Sequence, residues 1–226
     1  DKAIFGYGTT TVVVSLTNLV SELGVVSADV AGVGSARNQL SAAGYGNDKA
    51  IFIFGASGAT LYSLSNLVSN IGVVAADVAT AATGRVQTAA AGYGGDKAIV
   101  GFGGTYVSTT NLISNLGVVG ANVTGVGTAR NSLAAAGYGG DKAIFGYGVD
   151  GGGNRSMTNL VSNTGVVATD VTGVGNARPG LAAAGYGGDK ALFGFGFGAA
   201  RTNVTNLVSN VGVVSADTTG VGTARN

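Results

Sequence analysis

The side chains in this sequence that could do chemistry fall at regular intervals. Arginine recurs at Arg37, Arg85, Arg130, Arg178 and Arg225, and all five lysines, Lys2, Lys49, Lys97, Lys142 and Lys190, directly follow an aspartate. A second set of acids stands at Asp29, Asp77, Asp170 and Asp217, with Asn122 in the matching place. A ring of guanidinium groups could grip an anion. Alternatively, each arginine could bond a neighbouring acid or carbonyl and tie one repeat to the next, since a buried charge needs partners. Because every repeat carries the arginine, the second role is expected: Arg37, Arg85, Arg130, Arg178 and Arg225 read as framework. The lysines read as solvated strand ends.

What is missing narrows the chemistry further. With no histidine and no cysteine, the borderline and soft metal ligands and the base of a serine–histidine–acid triad are absent. The lone glutamate, Glu22, aligns with Asn70, Asn115, Asn163 and Asn210, a turn position in each repeat. The run Gly151-Gly152-Gly153 lacks the lysine and helix of a phosphate loop. We therefore expect no enzyme, no cofactor and no metal. A formal charge of +1 gives no electrostatic case for nucleic acid, and no apolar stretch approaches the roughly 18 residues of a spanning helix.

The side chains that break the rhythm cluster. Thirteen of sixteen aromatics fall in recurring columns; the other three are Tyr62, Tyr106 and Phe197. Near them lie the non-repeating charges Asp150, Arg155 and Arg201 and the only methionine, Met157. All seven occupy one segment of the repeat, and they are the candidate binding residues.

The elements that must position these groups follow from the spacing. Asp-Lys begins a run of seven steps to a closing glycine five times, as from Asp48 to Gly55 and from Asp141 to Gly148. Thirty steps separate the asparagine of each N-L-V-S-N-like stretch from the next Asp-Lys, as from Asn66 to Asp96. Between these constant parts lie nine, ten, seven, ten and nine residues, and all length variation is confined there. The repeats run 1–47, 48–95, 96–140, 141–188 and 189–226. Valine, isoleucine and aromatics between Gly-Gly, Gly-Asn and Asn-Thr-Gly turns predict four short strands per unit, and frequent glycine argues against helix. In A-I-F-G-Y-G, alternation places Ala143, Phe145 and Tyr147 on one face and Ile144 and Gly146 on the other. Both faces are apolar, so each sheet should be sandwiched between others.

Such units suit the blades of a β-propeller, with the small L-A-A-A-G-Y-G strand innermost. The chain resembles kelch-type blades: Arg130 stands at the entry to the inner strand, and K-A-I-F-G-Y-G closes at Gly148 where those blades close in a glycine pair. An aromatic replaces one glycine of that pair, and the kelch tyrosine and tryptophan of the third and fourth strands are absent. The resemblance implies an all-β, five-bladed, kelch-like propeller spanning 1–226. The stretches N-L-V-S-N-T-G-V-V and T-G-V-G-T-A-R-N also resemble repeats in virion structural proteins of tailed phages, which implies a virion or extracellular surface. The inner strand occurs only four times, and Arg225-Asn226 is the stub of a fifth. Residues 1 to about 34 thus form a blade without an inner strand of its own: a longer chain supplies one, a neighbouring subunit adds one, or a five-bladed ring tolerates the gap, and the first is expected. Variable loops of tyrosine, arginine, serine and glycine on a constant frame resemble a paratope. The function expected is recognition of a protein or glycan receptor on that face. The alternatives are a lectin with one shallow site per blade and a spacer in a fibre.

Overall fold

A computed structural model describes residues 2–226; the opening Asp-Lys pair thus has Asp1 outside the described residues. The chain is all-β, with no helix among the described residues. Its strands form five successive antiparallel sheets and two small hairpins, none closed. Sheet 1 pairs Ala3–Thr9 with Val13–Val20. Sheet 2 runs Ser41–Tyr45, Lys49–Ile53, Leu64–Val68 and Val78–Ala79. Sheet 3 is Ala89–Tyr93, Lys97–Gly101 and Thr110–Ile113. Sheet 4 is Ala134–Tyr138, Lys142–Gly146 and Thr158–Val161, and sheet 5 is Ala182–Tyr186, Lys190–Gly194 and Thr205–Val208.

Each inner strand of alanines and glycine pairs with the middle strand that follows it, as Ala135 with Phe145 and Tyr138 with Lys142. Small side chains let the inner strands approach one another face to face, and they pack in series from sheet 2 to sheet 5. Two sets of single backbone bonds link them. Gln87, Ser132 and Gly180 each donate an N–H to the matching residue one sheet earlier, namely Gln39, Gln87 and Ser132. At the other strand end, Gly46, Gly94 and Gly139 donate to Asp96, Asp141 and Asp189 one sheet later.

The core lies between sheets. Ala143 and Phe145 pack back onto Tyr93 and Phe102 of sheet 3, while Ile144 packs forward with Ala191 and Phe193 of sheet 5. Both faces of the middle strand are therefore buried, each large side chain contributing roughly 1.5–3 kcal/mol. Tyr147 departs from the expected alternation, since it joins Ile144 on the forward face. The cause is its backbone. Tyr147 has φ 64°, and the matching Tyr7, Phe54, Phe102 and Phe195 share that left-handed conformation. This is the position where the glycine of a kelch-like pair was expected, and the turn reverses the side chain.

The fourth strand is the other departure. Outside sheet 2 it reduces to isolated bridges, such as Val161↔Val167 and Thr158↔Val171 in sheet 4. The register slips by one residue between those two bridges, which is the signature of a bulge. The buried outer-strand asparagine explains it. Asn159 Nδ2 donates to Ala168 O at 3.1 Å and Asp170 Oδ1 at 2.9 Å, so a side chain takes the place of a ladder bond. Asn66, Asn111 and Asn206 repeat the arrangement.

The stack has two uncovered ends. Phe5 is 62% exposed whereas its counterparts Phe52, Phe145 and Phe193 are buried, and at the far end Tyr186 and Leu207 are exposed. The accessible surface of 10257 Å² exceeds the about 9300 Å² expected of a compact monomer of 21.8 kDa.

Candidate functional site

The repeated arginines sit at the joints between sheets. Arg130 is fully buried: Nε donates to Tyr147 O at 2.8 Å, Nη1 to Thr128 O at 3.0 Å and Nη2 to Asn159 Oδ1 at 2.7 Å. Its guanidinium lies 4.4 Å from the centre of the Phe102 ring, in the preceding sheet. Arg37, Arg85 and Arg178 make the same bonds and stack on Tyr7, Phe54 and Tyr147. The donors of these arginines thus point into the chain's own carbonyls and amides. Burial pulls the Arg130 guanidinium down to about 10, opposed by the Asp170 charge, and it stays protonated at neutral pH.

A carboxylate completes three of the joints. Asp170 accepts from the backbone and hydroxyl of Thr128 at 2.9 and 2.7 Å and lies 3.8 Å from Arg130. Asp77 does the same for Ser35 and Arg37, and Asp217 accepts from Asn176 N beside Arg178. Burial pushes the Asp77 and Asp170 carboxyls up, but hydrogen bonds from Ser35 or Thr128 and from the outer-strand asparagine outweigh it, leaving both below the ordinary value. The second joint, that of Arg85, has Asn122 instead, bonded to Thr83. Arg85 is therefore a buried cation with no carboxylate partner among the described residues, and burial pulls it down to about 10.

Lys49, Lys97, Lys142 and Lys190 each pair with the aspartate before them, as Lys142 with Asp141 at 2.8 Å, both partners well exposed. Such pairs contribute little to stability.

The variable segments emerge beside the arginine joints. Asn131 bridges Val149, Val107 bridges Arg130, and Thr202 bridges Arg225, so segment and joint share one end of each sheet. In sheet 1 the segment lengthens the main hairpin, with Val13 opposite Thr9 and Val14 opposite Gly8. In sheets 2 and 4 it folds into its own hairpin, Ala56–Ser57 with Thr60–Leu61 and Val149–Asp150 with Gly153–Asn154.

The seven candidate binding residues fare differently within these segments. Tyr106 and Phe197 are exposed aromatics at 41% and 43%, and Arg201 is exposed, its Nε donating to Asn226. Tyr106 has φ 60°, a left-handed conformation of a bulky residue that costs about 1–3 kcal/mol. Tyr62 and Met157 are half-buried. Asp150 and Arg155 are committed to each other: Nε meets Oδ2 at 2.7 Å, and Asp150 also accepts from Gly152 N. That pair closes the hairpin instead of reaching outward.

Three features escaped the sequence reading. An exposed apolar residue, Leu23, Ile71, Leu116 or Val211, lies in the turn after four of the outer strands, with Thr164 in the place in sheet 4. The sequence marks these steps as turns, and their apolar side chains were not singled out. The lone cation Arg85 was foreshadowed by Asn122. A groove between sheets 1 and 2 had only the missing strand as its signal.

No helix is long and apolar enough to cross a membrane, and no cluster of three acids able to hold a metal occurs among the described residues. No protein-family profile matches the chain, and no curated protein matches it. The class defined by fold and joints is an all-β protein of stacked repeat sheets.

Proposed function

We propose that the chain is a non-enzymatic repeat scaffold of kelch-like blades that presents its variable segments to a protein or glycan receptor. The location that fits this role is a phage virion or another extracellular surface. One observation carries the reading: the frame consumes its own charges and hydrogen bonds at every joint, while length variation and off-pattern aromatics gather at the adjacent end. Tyr106, Phe197 and Arg201 are the anchors, since they are exposed and not tied into a joint. Asp150 and Arg155 serve as hairpin supports, and Tyr62 and Met157 as flanks.

The five-bladed propeller belongs to the same proposal. It requires the two exposed end faces to meet and sheet 1 to gain an inner strand. The fibre-spacer alternative is favoured by those uncovered ends.

A glycan array and a panel of purified bacterial surface proteins, probed with the chain and with a Tyr106→Ala, Phe197→Ala, Arg201→Ala triple variant, test the reading. A ligand bound by the parent and at least tenfold more weakly by the folded variant supports it. Equal binding by both would sink it.

A further inference from the structure

Among the described residues sheet 1 has two strands, and Ala3–Thr9 pairs on one edge alone. Beside the start of that strand lies a groove of about 770 Å³, walled by Ala3, Ile4 and Leu19 of sheet 1 and by Ala43, Gly44 and Phe52 of sheet 2. The corresponding space in sheets 3 and 4 is filled by Ala89–Tyr93 and Ala134–Tyr138, buried small-residue strands. We propose that this groove is a binding site for one extended segment of the chain's own inner-strand type, reading Thr-Ala-Arg-Asn-Xaa-Leu followed by small residues and Tyr-Gly, which adds to the open edge of Ala3–Thr9.

The four occupied joints supply the contacts such a segment would make. In each, the arginine donates to the Oδ1 of the outer-strand asparagine, as Arg130 to Asn159. In sheet 1 that residue is Asn18, whose Nδ2 is held by Ser27 and Asp29 but whose Oδ1 has no donor among the described residues. In two of the joints the hydroxyl residue two places before the arginine donates to an aspartate, Ser35 to Asp77 and Thr128 to Asp170. Asp29 is the matching acid, and it accepts only from Asn18 among the described residues. The stacking bonds repeat the match. Gln39 occupies the place from which Gln87, Ser132 and Gly180 donate to the preceding inner strand, and Asp48 the place at which Asp96, Asp141 and Asp189 accept from one. Asp48 lines the groove. Backbone pairing gives such a strand affinity, and the arginine and small residues give it selectivity.

The occupant follows from these groups. A generic strand would satisfy the edge of Ala3–Thr9 but leave Asn18 Oδ1 and Asp29 unanswered. Bulky side chains in place of the alanines would collide with Ala43 and Gly44, the surface on which neighbouring inner strands pack elsewhere in the stack.

The probe is a labelled synthetic peptide of residues 128–140 titrated into the full chain, followed by fluorescence anisotropy and backbone NMR. Saturable one-to-one binding is expected, with exchange protection rising at the Ala3–Thr9 amides. A peptide carrying Arg130→Ala should bind at least tenfold more weakly, and a scrambled peptide not at all. Asp29→Ala in the chain, an exposed position, should weaken the parent peptide about threefold or more. Absence of binding up to millimolar peptide, or equal binding of the scrambled form, overturns the proposal. So does concentration-dependent self-association that the peptide fails to compete, which would assign the groove to a second copy of the chain. Because the arginine change is made in the peptide, failure of a chain variant to fold leaves the test standing.

Discussion

A buried guanidinium is expensive unless every strong donor finds an acceptor, and the arginine joint answers that with a carbonyl, an amide oxygen and an aromatic face. Arg130→Ala would strand Asn159 Oδ1 and Tyr147 O in a dry joint and empty the space on Phe102. A loss of about 3–5 kcal/mol is expected in urea unfolding, as for other buried ionic partners removed singly. Arg130→Lys should recover less than half, because a point charge cannot reproduce the planar fork. The second joint, that of Arg85, offers the converse test. Asn122→Asp would give Arg85 the carboxylate that Arg37, Arg130 and Arg178 already have, so stability at neutral pH should rise by about 0.5–1 kcal/mol. The sign with pH follows from Asp77 and Asp170, whose folded carboxyls sit below the ordinary value. Such groups stabilise the fold above the unfolded carboxylate range, near 3.9, and the gain is lost as pH falls through the folded value. Thermal melts should therefore show the benefit of Asn122→Asp at pH 7 and its loss towards pH 3.

At the scale of the element, the middle strand ends in a conflict that packing resolves. The left-handed conformation at Tyr147 costs roughly 1–2 kcal/mol for a residue with a Cβ. Against that, the ring is fully buried, meets Phe193 edge-on at 5.1 Å between centroids and carries the Arg178 guanidinium at 4.5 Å. Burial of so large a side chain is worth more than the strain. Tyr147→Gly should therefore destabilise by about 2–4 kcal/mol even though it frees the backbone, which denaturant titration would show. Sequence could reveal where this element begins and ends, because Asp-Lys and the closing glycine bracket it. It could also reveal that both faces are apolar. It could not reveal the direction of Tyr147, since strict alternation holds only while φ stays in the extended region. The fourth strand misled for a related reason. G-V-V-A-T-D-V has strand composition, but its ladder partner is displaced by the Asn159 side chain, a contact between residues nine and eleven apart. The variable segment is legible in its changing length and its off-pattern side chains. That Asp150 and Arg155 close on each other, whereas Tyr106 and Phe197 stay exposed, depended on turns that composition leaves open.

For the whole molecule, the question is whether the sheets form a line or a ring, and the arrangement of joints makes it testable. Each sheet is sealed by the next arginine: Gly148 N donates to Arg178 O at 3.1 Å, and Gly196 N to Arg225 O at 2.9 Å. Arg225 also lies 3.7 Å from the Phe195 ring centre. A chain shortened to residues 1–179 would end in the same way, with Arg178 still able to cover Tyr147 and bond Gly148. In an open stack the stability of repeat units is close to a sum of unit and neighbour terms, so loss of sheet 5 removes one joint and leaves the others. The shortened chain should then unfold cooperatively, with a denaturant slope lower by about a fifth, in proportion to the surface it no longer exposes. In a closed ring the same deletion would open the ring and expose two sheet faces, and the product would be largely unfolded or aggregated. Scattering from the full chain gives the independent reading. A compact body of this length has a radius of gyration of about 17 Å, and a stack with Phe5 uncovered at one end and Leu207 at the other should exceed it. A radius at or below that value, together with an unfolded 1–179 chain, would establish that the two ends meet in solution.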